Sequence, residues 1–342
     1  MARVSVKEFF QQILPAGLRN RLKRLKRMLA DIFQKCFASV CRRLARRHPV
    51  AFQRSLEAAG YQVARDGDYY SPLPSVARLK TNINRWNRPS SLHGVEYDLA
   101  GMKAMLAELL ACYLDEFLTY PTYAQVQEMG FGPGYTAVDA LTLYMMIRHF
   151  KPQRYIEVGS GVSTYYCSLA AQRNMDEGHP LQITCIEPYP FEKLSTIPGL
   201  RILPKEVQDT DISLFQQLQE NDVFFIDSSH ILRVDGDVPF LYLEVLPILN
   251  VGVVTHVHDI PYPYNFPFPP ELWVFGQDWP MFWNEPMVLQ AFLAFNKQFK
   301  ITMSTPLIRH FDEAFLIKHI PFYESVRQNP NAFSSLWLKR VS

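Results

Sequence analysis

Three short stretches of this 342-residue chain hold side chains that could do chemistry together: Glu157-Val158-Gly159-Ser160-Gly161, Asp227-Ser228-Ser229-His230 and His258-Asp259. An unperturbed histidine titrates at about 6.5, which suits proton transfer at neutral pH. His230 is therefore the first candidate for a general base and His258 the second. Asp227 and Asp259 are hard oxygen donors, able to hold a divalent cation of the Mg²⁺ kind that would lower the pKa of a bound hydroxyl. The competing reading has Asp227 capping a turn and the histidines merely closing the end of a strand.

The elements around these residues must bring them together. Residues 155–158 read as a short apolar strand and 164–173 as a helix, so the two glycines stand at a strand–helix junction. Gly159 and Gly161 permit positive φ or a close backbone approach that a Cβ would block. Ser163 or Thr164 can cap the helix. Such a turn offers backbone N–H groups to a nucleotide-type ligand. A dinucleotide fits poorly, because the Gly-x-Gly-x-x-Gly fingerprint places a third glycine where Thr164 stands. Glu157 would also repel a pyrophosphate. It suits a cationic ligand instead, and S-adenosylmethionine carries both a sulfonium and an ammonium. A second strand over 181–186 ends in Glu187, thirty residues after Glu157, where a carboxylate can accept both ribose hydroxyls. The expected cofactor contacts are Glu157, Gly159, Ser160, Gly161, Ser163 and Glu187.

Beyond these, strands are expected at 200–203, 223–227, 251–258, 299–303 and 314–318, and helices at 212–219, 238–249 and 285–296. The alternation predicts an α/β fold: a Rossmann-like, seven-stranded, mostly parallel sheet with helices on both faces. Ligands in such sheets bind beyond the carboxyl ends of the strands. After Asp259, residues 261–283 hold six prolines and nine aromatic residues, a composition that reads as a stiff substrate wall or lid.

With these blocks in place, the chain resembles class I S-adenosylmethionine-dependent methyltransferases. It is most similar to a bacterial branch with a strand–Asp-x-x-His block, here 224–230, followed by a strand–His-Asp block, here 253–259. The similarity spans roughly residues 61–320 and takes in Asp68-Tyr69-Tyr70-Ser71-Pro72 and 135–150. Val251-Gly252-Val253 departs from the Gly-Gly turn of many relatives. The resemblance implies that strands one, four and five are neighbours, so that Glu157, Asp227, His230, His258 and Asp259 converge. It also implies that Asp209 contacts the adenine amino group. Relatives at home in polysaccharide and natural-product pathways suggest O-methylation of a hydroxyl on a small-molecule or glycan-like acceptor. N-methylation, a non-catalytic scaffold and an NAD-dependent dehydrogenase are the alternatives, the last disfavoured by Thr164 and Glu157.

Composition sets the bounds. Hydrophobic content of 48% and charged content of 20% fit an ordered globular protein. Five scattered cysteines without metal-type spacing point to a reducing, cytoplasmic setting. The net charge of +2 is unevenly spread: residues 1–50 hold thirteen basic and two acidic residues, leaving −9 on the remainder. That acidic remainder argues against a nucleic-acid substrate. Neither a secretory signal nor a membrane-spanning run is expected.

Three divisions follow: a basic amphipathic extension over 1–50, a helical and looped subdomain over 51–134, and a cofactor-binding core over 135–342. In the extension, Leu25, Leu29, Ile32, Phe33, Cys36, Phe37 and Val40 recur at helical spacing, with Leu18 and Leu22 before them. A helix over 16–47 could lie on an anionic membrane surface, meet a partner protein, or pack on its own domain.

Overall fold

A computed structural model describes residues 16–342. The start of the expected basic extension, residues 1–15, lies outside the described residues, as do the side chains of Leu18 and Leu22. The described chain falls into two compact units, one ending at Ser75 and the other running Val76–Ser342.

The first unit is carried by two helices, α1 (Ala16–Arg47) and α2 (Pro49–Ala58). His48 stands between them, and Pro49 takes the first helical position of α2, where its missing N–H costs nothing. Among the described residues, no helix is long and apolar enough to cross a membrane.

The second unit begins with short helical turns and then α3 (Leu99–Phe117), whose first turn is capped by the Asp98 side chain accepting from Gly101 N–H at 2.9 Å. Next come α4 (Ala137–Phe150), β1 (Arg154–Val158), α5 (Val162–Asp176), β2 (Gln182–Ile186), β3 (Arg201–Leu203), β4 (Val223–Ile226) and β5 (Val254–Val257). The chain ends with α6 (Glu285–Leu293), β6 (Phe299–Ser304), α7 (Thr305–His319) and β7 (Leu336–Arg340). The seven strands form one sheet in the order β3-β2-β1-β4-β5-β7-β6, parallel except for β7, which runs antiparallel to β5 and β6. β4 is Val-Phe-Phe-Ile, buried at every position, as expected of a central parallel strand covered on both faces.

Two expectations are corrected. Residues 314–318, expected as the last strand, lie inside α7. Ser304 and Pro306 start that helix, and a short apolar run cannot by itself tell buried strand from buried helix. The seventh strand is instead Leu336–Arg340, at the very end of the chain. The helix expected over 238–249 is broken into an α turn, a π turn and a 3₁₀ turn, with Pro247 in the last.

Residues 76–134 pack with the sheet. Arg148 of α4 is nearly fully buried and bonds Glu116 of α3 at 2.7 Å, together with Glu177 and Asn174 at the far end of α5. Burial opposes the charge on Glu116, but the Tyr144 hydroxyl and Arg148 outweigh it and lower its pKa. Lys103 of α3 also meets Asp312 of α7.

Candidate active site

The β1–α5 turn is built around a buried acid. Glu157 is fully buried, and its two oxygens accept from the hydroxyls of Ser163 and Thr164, the latter at 2.8 Å. Thr164 Oγ1 in turn accepts from Gly161 N–H at 3.0 Å, which explains why a threonine replaces the third glycine. Burial pushes the Glu157 carboxyl up to about 8, against the pull of those hydroxyl donors. Gly159 has φ +97°, and a Cβ there would lie 2.8 Å from the carbonyl oxygen of Asp227. The glycine is what lets β1 and β4 end side by side.

Beyond this turn lies a cavity of about 290 Å³ at the carboxyl ends of β1, β2 and β4. Gly159, Glu187, Glu206, Gln208 and Asp227 are among its walls. The wall carries four acids (Glu187, Glu206, Asp227, Asp237) against one base, Arg233. Two nearby polar atoms, Ser160 Oγ and Gln208 Oε1, are buried with no hydrogen-bond partner.

The expected cofactor residues therefore separate. Gly159 and Glu187 line the cavity, and Gly161 shapes its turn. Glu157 and Ser163 do not reach it, because they are consumed by each other beneath the loop. Asp209 is exposed and lies off the wall, whereas its neighbour Gln208 faces in. The 3₁₀ turn Val207–Asp209 fixes that choice by aiming consecutive side chains in different directions.

The catalytic candidates converge. β1, β4 and β5 are adjacent, with Val158 paired to Ile226 and Ile226 to Val257, so the residues just past each strand share one volume. Asp227, His230 and Asp259 place one donor atom each within 4.8 Å of one another. His230 Nε2 lies 3.5 Å from an oxygen of Asp227 and 3.5 Å from one of Asp259. His230 and Asp259 both adopt left-handed backbone, φ 61° and 54°, which turns their side chains back toward the strand ends.

A third carboxylate comes from far along the chain. Glu285, at the start of α6, is fully buried and pairs with His230 Nδ1 at 2.7 Å while accepting from Ser228 Oγ at 2.8 Å. The backbone N–H groups of Asn284 and Glu285 also donate to the His230 carbonyl, tying the two segments together. Burial disfavours charge on His230, but Asp227, Glu285 and Asp259 outweigh it and hold its pKa up to about 10. Three carboxylates thus surround one imidazole, Glu285 on Nδ1 and Asp227 and Asp259 on Nε2.

His258 is held still more firmly. Its Nδ1 lies 3.2 Å from Asp227, and its Nε2 lies 3.4 Å from Asp139 and 3.1 Å from Ser334 Oγ. Burial opposes its charge, yet Asp259, Asp227 and Asp139 keep the ring protonated well above the usual histidine range. Both ring nitrogens of His258 therefore have partners, Asp227 on one side and Asp139 and Ser334 on the other. One position earlier on the same face of β5, His256 is sandwiched between Phe225 and Trp337, with ring centroids at 4.2 and 4.1 Å, and burial pushes its pKa down.

Sequence reasoning missed Asp139, Ser334, Gln208 and Glu285, and gave Thr164 only a capping role. Asp139 carried a legible signal, being the one acid in the otherwise apolar 137–147 stretch. Glu285 carried none, since its meaning depends on a contact 55 residues away. The aromatic segment divides: Tyr262 and Phe266 are buried, Trp279 is exposed, and Trp283 stands 4.6 Å from the His230 ring, backed by Trp273 at 5.1 Å.

Residues 156–260 match the family model of a methyltransferase domain. An uncharacterised protein of Archaeoglobus fulgidus is 27% identical over 169 residues, which is 45% of this chain and 73% of that one. Among solved structures, an O-methyltransferase from Bacillus cereus in complex with S-adenosylhomocysteine is similar with TM-score 0.39 at 11% identity, covering 67% of this chain and 97% of that one. The O-methyltransferase of tomaymycin synthesis from Streptomyces achromogenes, in complex with S-adenosylmethionine, is similar with TM-score 0.38 at 14% identity, covering 61% and 82%. At such scores these likenesses add nothing to what the strand order itself establishes.

Proposed function

We propose that this enzyme, of the class I methyltransferase type by its matched domain and its strand order, moves a methyl group from S-adenosylmethionine to a hydroxyl oxygen of a small-molecule or glycan-like acceptor. The observation that carries the cofactor is the charge of the cavity wall, four acids to one base. Such a wall attracts a ligand bearing a sulfonium and an ammonium and repels one bearing a pyrophosphate. Glu187, on that wall, would accept from the ribose hydroxyls. The unpartnered Gln208 Oε1 can accept from an exocyclic amine, the role first expected of Asp209.

Methyl transfer is an in-line displacement: the acceptor oxygen bonds to the methyl carbon as the carbon–sulfur bond breaks, and the hydroxyl proton must leave. The protein's task is alignment and control of that proton. Asp227, His230 Nε2 and Asp259 form a donor set that fits a divalent cation, with Glu285 fixing the ring through Nδ1. When bound, a cation there would acidify the acceptor hydroxyl, and an imidazole donor favours Mn²⁺ over the Mg²⁺ first expected. Trp283 supplies a ring face beside the acceptor position. A second reading has His230 in its neutral form, held by Glu285 through Nδ1, taking the acceptor proton directly.

Calorimetric titration of the purified chain with S-adenosylmethionine and S-adenosylhomocysteine, with and without Mn²⁺ or Mg²⁺, tests both parts. Micromolar cofactor binding is expected, and well-folded protein that binds neither sulfur compound overturns the proposal. Chelator-resistant methyl transfer would replace the cation reading by the histidine-base one.

A further inference from the structure

The helix α1 takes no part in the reading above, and its surface demands an explanation. It is 32 residues long, about 48 Å at 1.5 Å per residue. Leu25, Met28, Leu29, Ile32, Phe33, Phe37 and Val40 fall on one continuous arc of about 180° at 100° per residue. All seven are exposed, Phe33 at 70% and Phe37 at 59%, and the two phenyl rings stack 6.0 Å apart. On the opposite half stand Arg24, Arg27, Lys35 and Arg42; Arg21 and Lys26 fall on the apolar side near the start of the arc, and Arg43, Arg46 and Arg47 fall on that side beyond Val40, in the last turns. Residues 16–47 contain eleven basic residues and one acid, Asp31. Ser39, Arg42, Arg43, Arg46 and Arg47 line one concavity along the last turns. Among the described residues, none of the helix's basic side chains takes part in an ion pair.

We propose that α1 is a membrane-surface anchor, lying in the plane of an anionic bilayer with its Leu/Ile/Phe arc among the acyl chains and its arginine cluster on phosphate headgroups. Charge complementarity selects this occupant. A second copy of α1 would bring a charge of the same sign against the same helix, in either orientation. An apolar arc of half the circumference is also wider than the stripe of a two-helix seam. RNA would need aromatic rings free to stack on bases among the cations, whereas Phe33 and Phe37 stack on each other amid Leu29, Ile32 and Val40. An interfacial helix accommodates this arrangement: bulky apolar residues along one side, cations opposite and at both ends of the arc with stems long enough to reach the headgroups, and too little total hydrophobicity to span.

The test is co-sedimentation of the full chain with vesicles of phosphatidylcholine alone or with one-third phosphatidylglycerol. Binding to the anionic vesicles is expected to exceed binding to neutral ones by more than about tenfold and to fall steeply as salt shortens the Debye length. Replacing Arg42, Arg43, Arg46 and Arg47 by Gln should weaken it by more than about tenfold. The double variant Phe33→Ala, Phe37→Ala preserves helix propensity and charge, so circular dichroism should stay unchanged while vesicle binding drops. Equal binding to both vesicle types, an unchanged Phe variant, or a stable dimer or RNA complex without vesicle binding would each overturn the proposal.

Discussion

At the scale of single residues, the site is organised by acids that differ in what surrounds them. Glu157 is buried among hydroxyls and holds its proton to about pH 8, whereas an unfolded chain releases it near 4.5. Between those values the native state binds the extra proton, so stability is complete below pH 4.5 and falls as pH rises toward 8. Glu157→Gln should abolish that slope in urea-unfolding midpoints measured across the window. Parallel wild-type and variant curves would remove the buried-acid account. Gly159→Val meets both a positive φ and a backbone oxygen 2.8 Å from its Cβ, so cofactor binding should vanish from calorimetric traces. Glu285→Gln keeps the shape but removes a charge beside His230. Mn²⁺ affinity should drop by about ten- to a hundredfold with S-adenosylmethionine affinity nearly unchanged, and equal losses in both would indicate a merely structural glutamate.

Among the elements, the decisive arrangement is the adjacency of β1, β4 and β5, because it converts three separate strand ends into one site. That adjacency is supported from behind by Arg148, which joins α3, α4 and α5 through Glu116, Asn174 and Glu177. Arg148→Ala leaves the buried Asn174 amide without its donor, while Glu116 keeps Arg173 and Glu177 keeps Lys151. A loss of about 1–3 kcal/mol is expected in denaturant titrations. A change below 1 kcal/mol would show that water replaces the guanidinium there. At the sheet's centre, His256 between Phe225 and Trp337 shows that a histidine beside the site can be packing alone.

The whole molecule divides at Ser75, and residues 61–70 just before that point are exposed and without helix or strand. Limited trypsin digestion of the full chain should therefore cut at Arg65 and leave a product resistant from there to the C-terminus. Fragmentation inside 76–342 at the same rate would contradict a compact second unit. Across residue 134, where a finer division is expected, α3 is bonded to α4 and α7.

Much of this was legible in the chain itself. Periodic apolar patterns and glycine placement report on local backbone, so β1 to β5, α5 and the Gly159–Gly161 turn could be read directly. The residue types Asp227, His230, His258 and Asp259 announced chemistry for the same reason: their strands end where they stand. What the sequence could not determine was everything that rests on contacts between distant segments. Glu285 on His230, Asp139 and Ser334 on His258, and Gln208 facing inward instead of Asp209 are set by how strands and helices are stacked. Those contacts in turn decide which groups are charged. Ordinary pKa values describe side chains in water, and only burial beside particular partners shifts that of His230 to about 10.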